Sequence, residues 1–192
     1  MRSSGAVTRP RDMKTLSITS TTLLLACSLG FAIPPSAQDR GENTRLTRQV
    51  RHELVTLPYY SVFDNLAFRI DGSTVTLLGQ VTQPTLKSSA ENVVKDIEGV
   101  THVNNELEVL PVSPNDDQIR RAEYHAIYSQ PALNQYALRA VPPIHIIVQN
   151  GHVTLDGVVA NEGDKNIAGV QANSVPGVFS VTNNLRIDQS GS

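Results

Sequence analysis

The second half of this chain repeats the first. Displaced by 78 positions, residues 71–109 lie over residues 149–187 without a gap, so that Val75-Thr76-Leu77 falls on Val153-Thr154-Leu155, Gly79 on Gly157 and Val81 on Val159. Lys87 and Ala90 meet Lys165 and Ala168, Gly99-Val100 meets Gly177-Val178, and Val103, Asn105 and Leu107 meet Val181, Asn183 and Leu185, which makes 12 identities over 39 positions. A repeat of this length constrains the fold more than any local motif, because each copy must be one small structural unit. What both copies keep is a framework of Val, Leu and Gly, with no shared set of acid, base and nucleophile.

The hydrophobic pattern gives the same element order twice. A helix is expected from about Thr44, with Leu46, Val50, Leu54 and Leu57 on one face, stopped by Pro58. Asn150-Gly151 is a two-residue hairpin turn. It pairs Val148 with Val153, Ile146 with Leu155 and Ile144 with Gly157. Carried back 78 positions, the register pairs Ile70 with Val75, Phe68 with Leu77 and Leu66 with Gly79 around Gly72-Ser73. Both hairpins then gather their alternating apolar residues on one face, which a one-residue slip would reverse. A second helix follows, from Pro84 to about Glu98 with Gly99 as its C-cap, carrying Leu86, Ala90, Val93, Val94 and Ile97. Its counterpart is thinner, with Ile167, Ala168 and Val175 and with Gly169 in mid-helix. A last strand holds Val103, Leu107 and Val109, or Val181, Leu185 and Ile187. In the second copy Ser113 caps the leading helix, Pro114 opens it, and Asp116-Asp117 complement its dipole.

The expected fold is therefore α+β, with two tandem αββαβ modules, each a small three-stranded sheet carrying two helices on one face. Residues 44–110 form the first module, 111–114 a linker, 115–188 the second module with a loop insertion near 129–143, and 189–192 a tail. A module of this size buries a modest core, so the two are expected to lean on each other.

Residues 1–37 differ from the rest. Arg9, Arg11 and Lys14 precede an apolar run from Leu16 to Ile33, and small residues follow at Ser36-Ala37. That is the pattern of a secretory signal peptide, beginning at Met1 or Met13. Leu24-Leu25-Ala26-Cys27 resembles a bacterial lipobox, so the expected processing is either cleavage near Ala32 or Ala37 or lipidation at Cys27. A polar linker, 38–43, follows. Without residues 1–37 the chain keeps twelve basic and seventeen acidic residues. That balance argues against nucleic-acid binding, which needs cationic neutralisation of phosphate.

A leading helix, Val-Thr-Leu-x-Gly-x-Val, an amphipathic helix ending in Gly-Val, and a closing Val-x-Asn-x-Leu resemble the BON domain, a family named for osmotically induced and nodulation proteins of bacteria. The resemblance covers roughly 44–110 and 115–188. It implies an exported bacterial protein, periplasmic or secreted or held as a membrane-anchored lipoprotein, that attaches to phospholipid or membrane surfaces. It brings no catalytic residues and no cofactor. The alternative is a structural or adaptor protein bound to another envelope protein.

Candidate contacts follow from the residues. Arg45, Arg48 and His52 share a helical face away from the Leu46-Val50-Leu54 stripe, with Arg51 beside them, and Arg120 and Arg121 start a weaker version in the second copy. Such a face suits anionic lipid head groups, and its competing reading is a solvated helix. Tyr59, Tyr60, Leu133 and Tyr136 lie in expected loops, as contacts for a membrane interface or as cover for the joint between modules. Asn105 and Asn183 sit on core-facing parity and need hydrogen-bond partners. His145 is expected opposite Asp156 on the solvent side of its hairpin, with no nucleophile placed to use it. No histidine shows metal-ligand spacing.

Overall fold

The computed structural model describes residues 37–139 and 141–188, so the expected signal segment with Cys27 and the expected tail at 189–192 lie outside the described residues. The first copy comprises α1 (Ala37–Val55), β1 (Asn65–Asp71), β2 (Thr74–Val81), α2 (Pro84–Lys95), β3 (His102–Asn105) and β4 (Glu108–Val109). The second comprises α3 (Pro114–Tyr128), α4 (Asn134–Ala137), β5 (Ile144–Gln149), β6 (His152–Val159), α5 (Glu162–Asn173), β7 (Ser180–Asn183) and β8 (Arg186–Ile187). The described residues all belong to one compact unit.

Both hairpins take the expected register. Leu66, Phe68 and Ile70 face Gly79, Leu77 and Val75, and Ile144, Ile146 and Val148 face Gly157, Leu155 and Val153. Asn150 and Gly151 both adopt positive φ, as the turn demands, and of the two turn residues in the first hairpin Gly72 alone does so. The central strand of each sheet also pairs in parallel with the last strand, which is broken in two. Asn105 and Asn183 sit at that break, as the last residues of β3 and β7. The Oδ1 of each accepts from the amide two residues on, Leu107 or Leu185, at 3.2 Å. The side chain thus caps an amide that faces away from the ladder, which Glu106 and Asn184 continue by donating to Leu77 and Leu155, while Leu107 and Leu185 turn into the core, each 1% exposed.

Each copy has its own core. Leu46, Val50 and Leu54 of α1 close over Val75, Leu77 and Val81 of β2 and Leu86, Ala90 and Val94 of α2. In the second copy Ile119 and Ile127 of α3 close over Val153, Leu155 and Val159 with Ala168 and Ala172. Burying one such Leu or Ile contributes about 1.5–3 kcal/mol, so a dozen of them stabilise a small module without disulfides.

Four expectations change. Residues 38–43 are not a linker but the opening turns of α1. α2 stops at Lys95, and Gly99, at φ 97°, belongs to the following turn closed by Val100 N–H to Ile97 C=O. The 129–143 insertion contains α4, and its Leu133 and Tyr136 are buried in the second core. The Tyr136 hydroxyl donates to Asp164 at 2.5 Å and accepts from the Ala160 amide at 2.8 Å, which fastens the insertion to the start of α5.

Candidate functional site

α1 presents two different faces. Its apolar stripe is spent on the core, so its cations lie outside. Arg45, Arg48, Arg51 and His52 are all exposed. Arg45 reaches Glu98, with Nη2 donating to the Glu98 carbonyl at 3.4 Å and the carboxylate 3.8 Å away. Arg51 points elsewhere: it lines a groove of about 660 Å³ between α1 and β1, together with Tyr60 and Arg186. The basic face is thus Arg45, Arg48 and His52. Tyr59, four residues beyond the end of α1, is 76% exposed at φ 70°.

The second copy offers a smaller equivalent, the exposed Arg121 and His125 of α3. Arg120 is buried, its guanidinium held by Asp117 at 2.5 Å and by the Val148 carbonyl at 2.7 Å. It is a core tie and is removed from the candidate lipid contacts, leaving Arg121 exposed on α3. Leu133 and Tyr136 are removed likewise, because a side chain committed to a core cannot also meet a membrane.

Tyr60 belongs to the joint between copies. Its ring stacks on His145 at 5.6 Å between centroids, its hydroxyl lies 3.4 Å from His145 Nε2, and burial raises its phenol to about 12. Next to it, the Val62 side chain enters the second core while the Val62 carbonyl accepts the Ile146 amide at 2.8 Å. Residues 61–64 are held in this shape by Asp64, fully buried, whose carboxylate accepts from Ser61 and from the backbone and hydroxyl of Thr82. Asn65 completes the joint by donating to Asp156 at 3.2 Å.

His145 does stand opposite Asp156 in the ladder. The expectation that the pair faces solvent is corrected: the joint covers it, and Asp156 is engaged by Asn65. Burial holds the imidazole below its ordinary value, against the opposing pull of Asp64 and Asp156. Among the described residues no group of His, Cys, Asp and Glu is arranged to hold a metal, and no helix is long and apolar enough to cross a membrane.

One group escaped the sequence reading. Glu123 is fully buried on α3, neither carboxylate oxygen has a hydrogen-bond partner, and burial pushes its carboxyl up to about 8. The available signal was its spacing, four residues from both Ile119 and Ile127.

The sequence profile of the BON domain matches residues 43–111 and 129–189. None of the curated proteins matches the chain. Among solved structures, one that is similar is CdsD, a structural protein of the type III secretion system of Chlamydia trachomatis, at 13% identity over 77% of this chain and 95% of that one, with a TM-score of 0.30. The C-terminal domain of CdsD is similar at 13% identity over 74% of this chain and 97% of that one, with a TM-score of 0.27.

Proposed function

The chain belongs to the BON-domain family, and we propose that it is a non-catalytic binding protein of the bacterial envelope that attaches to anionic phospholipid surfaces, in envelope maintenance or stress. The family is known for phospholipid binding. The observation that carries the reading for this chain is the exposed Arg45-Arg48-His52 face of α1, with an exposed tyrosine, Tyr59, in the segment that follows the helix. Each cation near an anionic surface contributes about 1 kcal/mol, screened by salt. A tyrosine at the head-group level adds an apolar body with a wet tip.

Co-sedimentation of residues 35–192 with phosphatidylglycerol and phosphatidylcholine vesicles tests this. Binding to the anionic vesicles alone, weakened by salt and by Arg45→Ala/Arg48→Ala, is the expected result. Equal binding to neutral vesicles, or none to either, would sink the lipid reading in favour of a structural or adaptor protein bound to another envelope protein.

A further inference from the structure

The two copies treat the outer edge of their first strand differently. β5 is an edge strand, and three of its outward backbone groups, one on each outward-facing residue, are occupied. The Ile144 carbonyl accepts from the Tyr128 hydroxyl at 2.6 Å, the Ile146 amide donates to Val62, and the Val148 carbonyl accepts from Arg120. β1 has the same register 78 positions earlier, so Phe68 and Ile70 turn their outward backbone groups to the corresponding edge. No hydrogen bond reaches that edge at Phe68 or Ile70 among the described residues.

The reason lies in the helix above. Aligning Leu46, Val50 and Leu54 with Ile119, Glu123 and Ile127 places Thr47 at the position of Arg120 and Val55 at that of Tyr128. The two side chains that plug the edge of β5 are replaced by two too short to reach. What remains is the 660 Å³ groove between α1 and β1, lined by Thr47, Val55, Phe68 and Ile70. Its walls carry two guanidinium groups, Arg51 and Arg186, and no carboxylate, with Asp188 beside the same arginines in the adjoining hollow.

We propose that this groove accepts an extended, acidic segment of another polypeptide, which adds a strand to β1 by pairing with Phe68 and Ile70. The chain already displays this mode at the joint, where Val62 gives its carbonyl to Ile146 and its side chain to the core beneath. Ile146 is the counterpart of Phe68, so the incoming segment gives a carbonyl to the Phe68 amide and lays alternate apolar side chains against Val55 and Leu54. Main-chain pairing supplies affinity in such additions, and side-chain pockets supply selectivity. The paired arginines select a carboxylate. This surface is separate from the lipid face and does not depend on it.

Random decapeptides displayed on phage and selected against the full chain test the idea. Recovered sequences should alternate apolar residues and carry Asp or Glu. A fluorescein-labelled synthetic copy should bind the chain and slow hydrogen exchange at the Phe68 and Ile70 amides. Thr47→Arg/Val55→Tyr, which installs the plugs of the second copy, should weaken binding at least about tenfold. Should that variant fail to fold, Thr47→Arg alone should act in the same direction. Arg51→Ala/Arg186→Ala should weaken binding and flatten its salt dependence, while Arg45→Ala/Arg48→Ala should leave it unchanged. No enrichment over the unselected library, or binding that the plugged variant retains, overturns the proposal. So does a dimer in sedimentation that Thr47→Arg disperses, since the occupant would then be a second molecule of this chain.

Discussion

The leading helices α1 and α3 cover matching sheets with opposite chemistry. α1 presents Leu46, Val50 and Leu54, an all-apolar stripe that seals its core by area alone. α3 presents Ile119, Glu123 and Ile127, with a carboxyl at the centre of the contact. It is attached by specific polar ties instead: Asp116 accepts the amides of Asn150 and Gly151, Arg120 reaches Val148, and Tyr128 reaches Ile144. The family profile takes in most of α1 but starts only at residue 129 in the second copy. The sheet and following helix are thus the constant part of the repeat, and the leading helix is where the copies diverged.

The most damaging test strikes what the copies share. Gly79 and Gly157 sit at φ 114° and 134°. A Cβ at either would lie 2.1 Å from the Asn65 carbonyl oxygen or 1.8 Å from that of Pro143. Backbone cannot yield as a side-chain tip can, so alanine at either position should cost about 3–4 kcal/mol. Because Val62 of the first copy packs into the second core, each variant should still melt in one calorimetric transition. Two separated transitions in Gly79→Ala would show that the copies unfold independently and that the joint is weaker than its contacts imply.

Next in size is the point where the helices differ most. An unfolded chain ionises Glu123 above about 4.5, whereas the folded chain resists until about 8. The folded pKa is raised, so stability is fully present below 4.5, declines as pH rises between those values, and is level above 8. At pH 7 the penalty is about 3 kcal/mol. Glu123→Val copies Val50 of α1, and should raise the urea midpoint at pH 7 and flatten its dependence between pH 5 and 8. An unchanged pH profile would mean that the carboxyl finds water or a partner in solution.

These two tests separate what could be read in the sequence from what could not. Hairpin register was legible because Asn150-Gly151 fixes the turn and the alternation has a period of two. The helices of each copy were legible as stripes, but not the start of α1, since residues 38–43 carry no apolar repeat. Leu133 and Tyr136 look the same in a proline-flanked insertion whether they cap a core or face water. Arg120 and Arg121 are adjacent in sequence and a hundred degrees apart on the helix, so only the position of β5 decides which one is buried. His145 and Asp156 were paired correctly and placed on the wrong side of the solvent boundary, because the face of a sheet opposite its core is exposed only if no neighbour covers it.

A smaller effect should follow from unplugging β5. Tyr128→Phe removes one hydroxyl and leaves the buried Ile144 carbonyl without that donor, at a cost of about 1–3 kcal/mol. The reverse change, Val55→Tyr in α1, adds a plug where no edge bond was made and should alter stability by less. Paired thermal melts check the asymmetry. Equal losses in both variants would mean that the hydroxyl bond contributes nothing beyond packing.

The smallest test returns to the shared framework and asks whether two copies of one device are equally strong. Asn105 and Asn183 each donate to a helix carbonyl, Lys87 at 3.0 Å and Lys165 at 2.8 Å, while accepting at the strand break. Only Asn105 has a further partner, the carboxylate of Glu91 at 2.9 Å. Lys95 and then Asn105 hold that acid below its ordinary range. The matching position is Gly169, where a Cβ would lie 2.8 Å from the Asn183 amide nitrogen. The second copy has therefore given up the acid and lets the helix approach its asparagine closely. Alanine at either asparagine should cost about 1–2 kcal/mol through the unsatisfied amide and carbonyl. Asn105→Ala should cost slightly more, and Glu91→Gln should narrow the gap by weakening a charge-assisted bond. Equal losses at both sites, unmoved by Glu91→Gln, would assign the whole effect to the strand break and none to the helix contact.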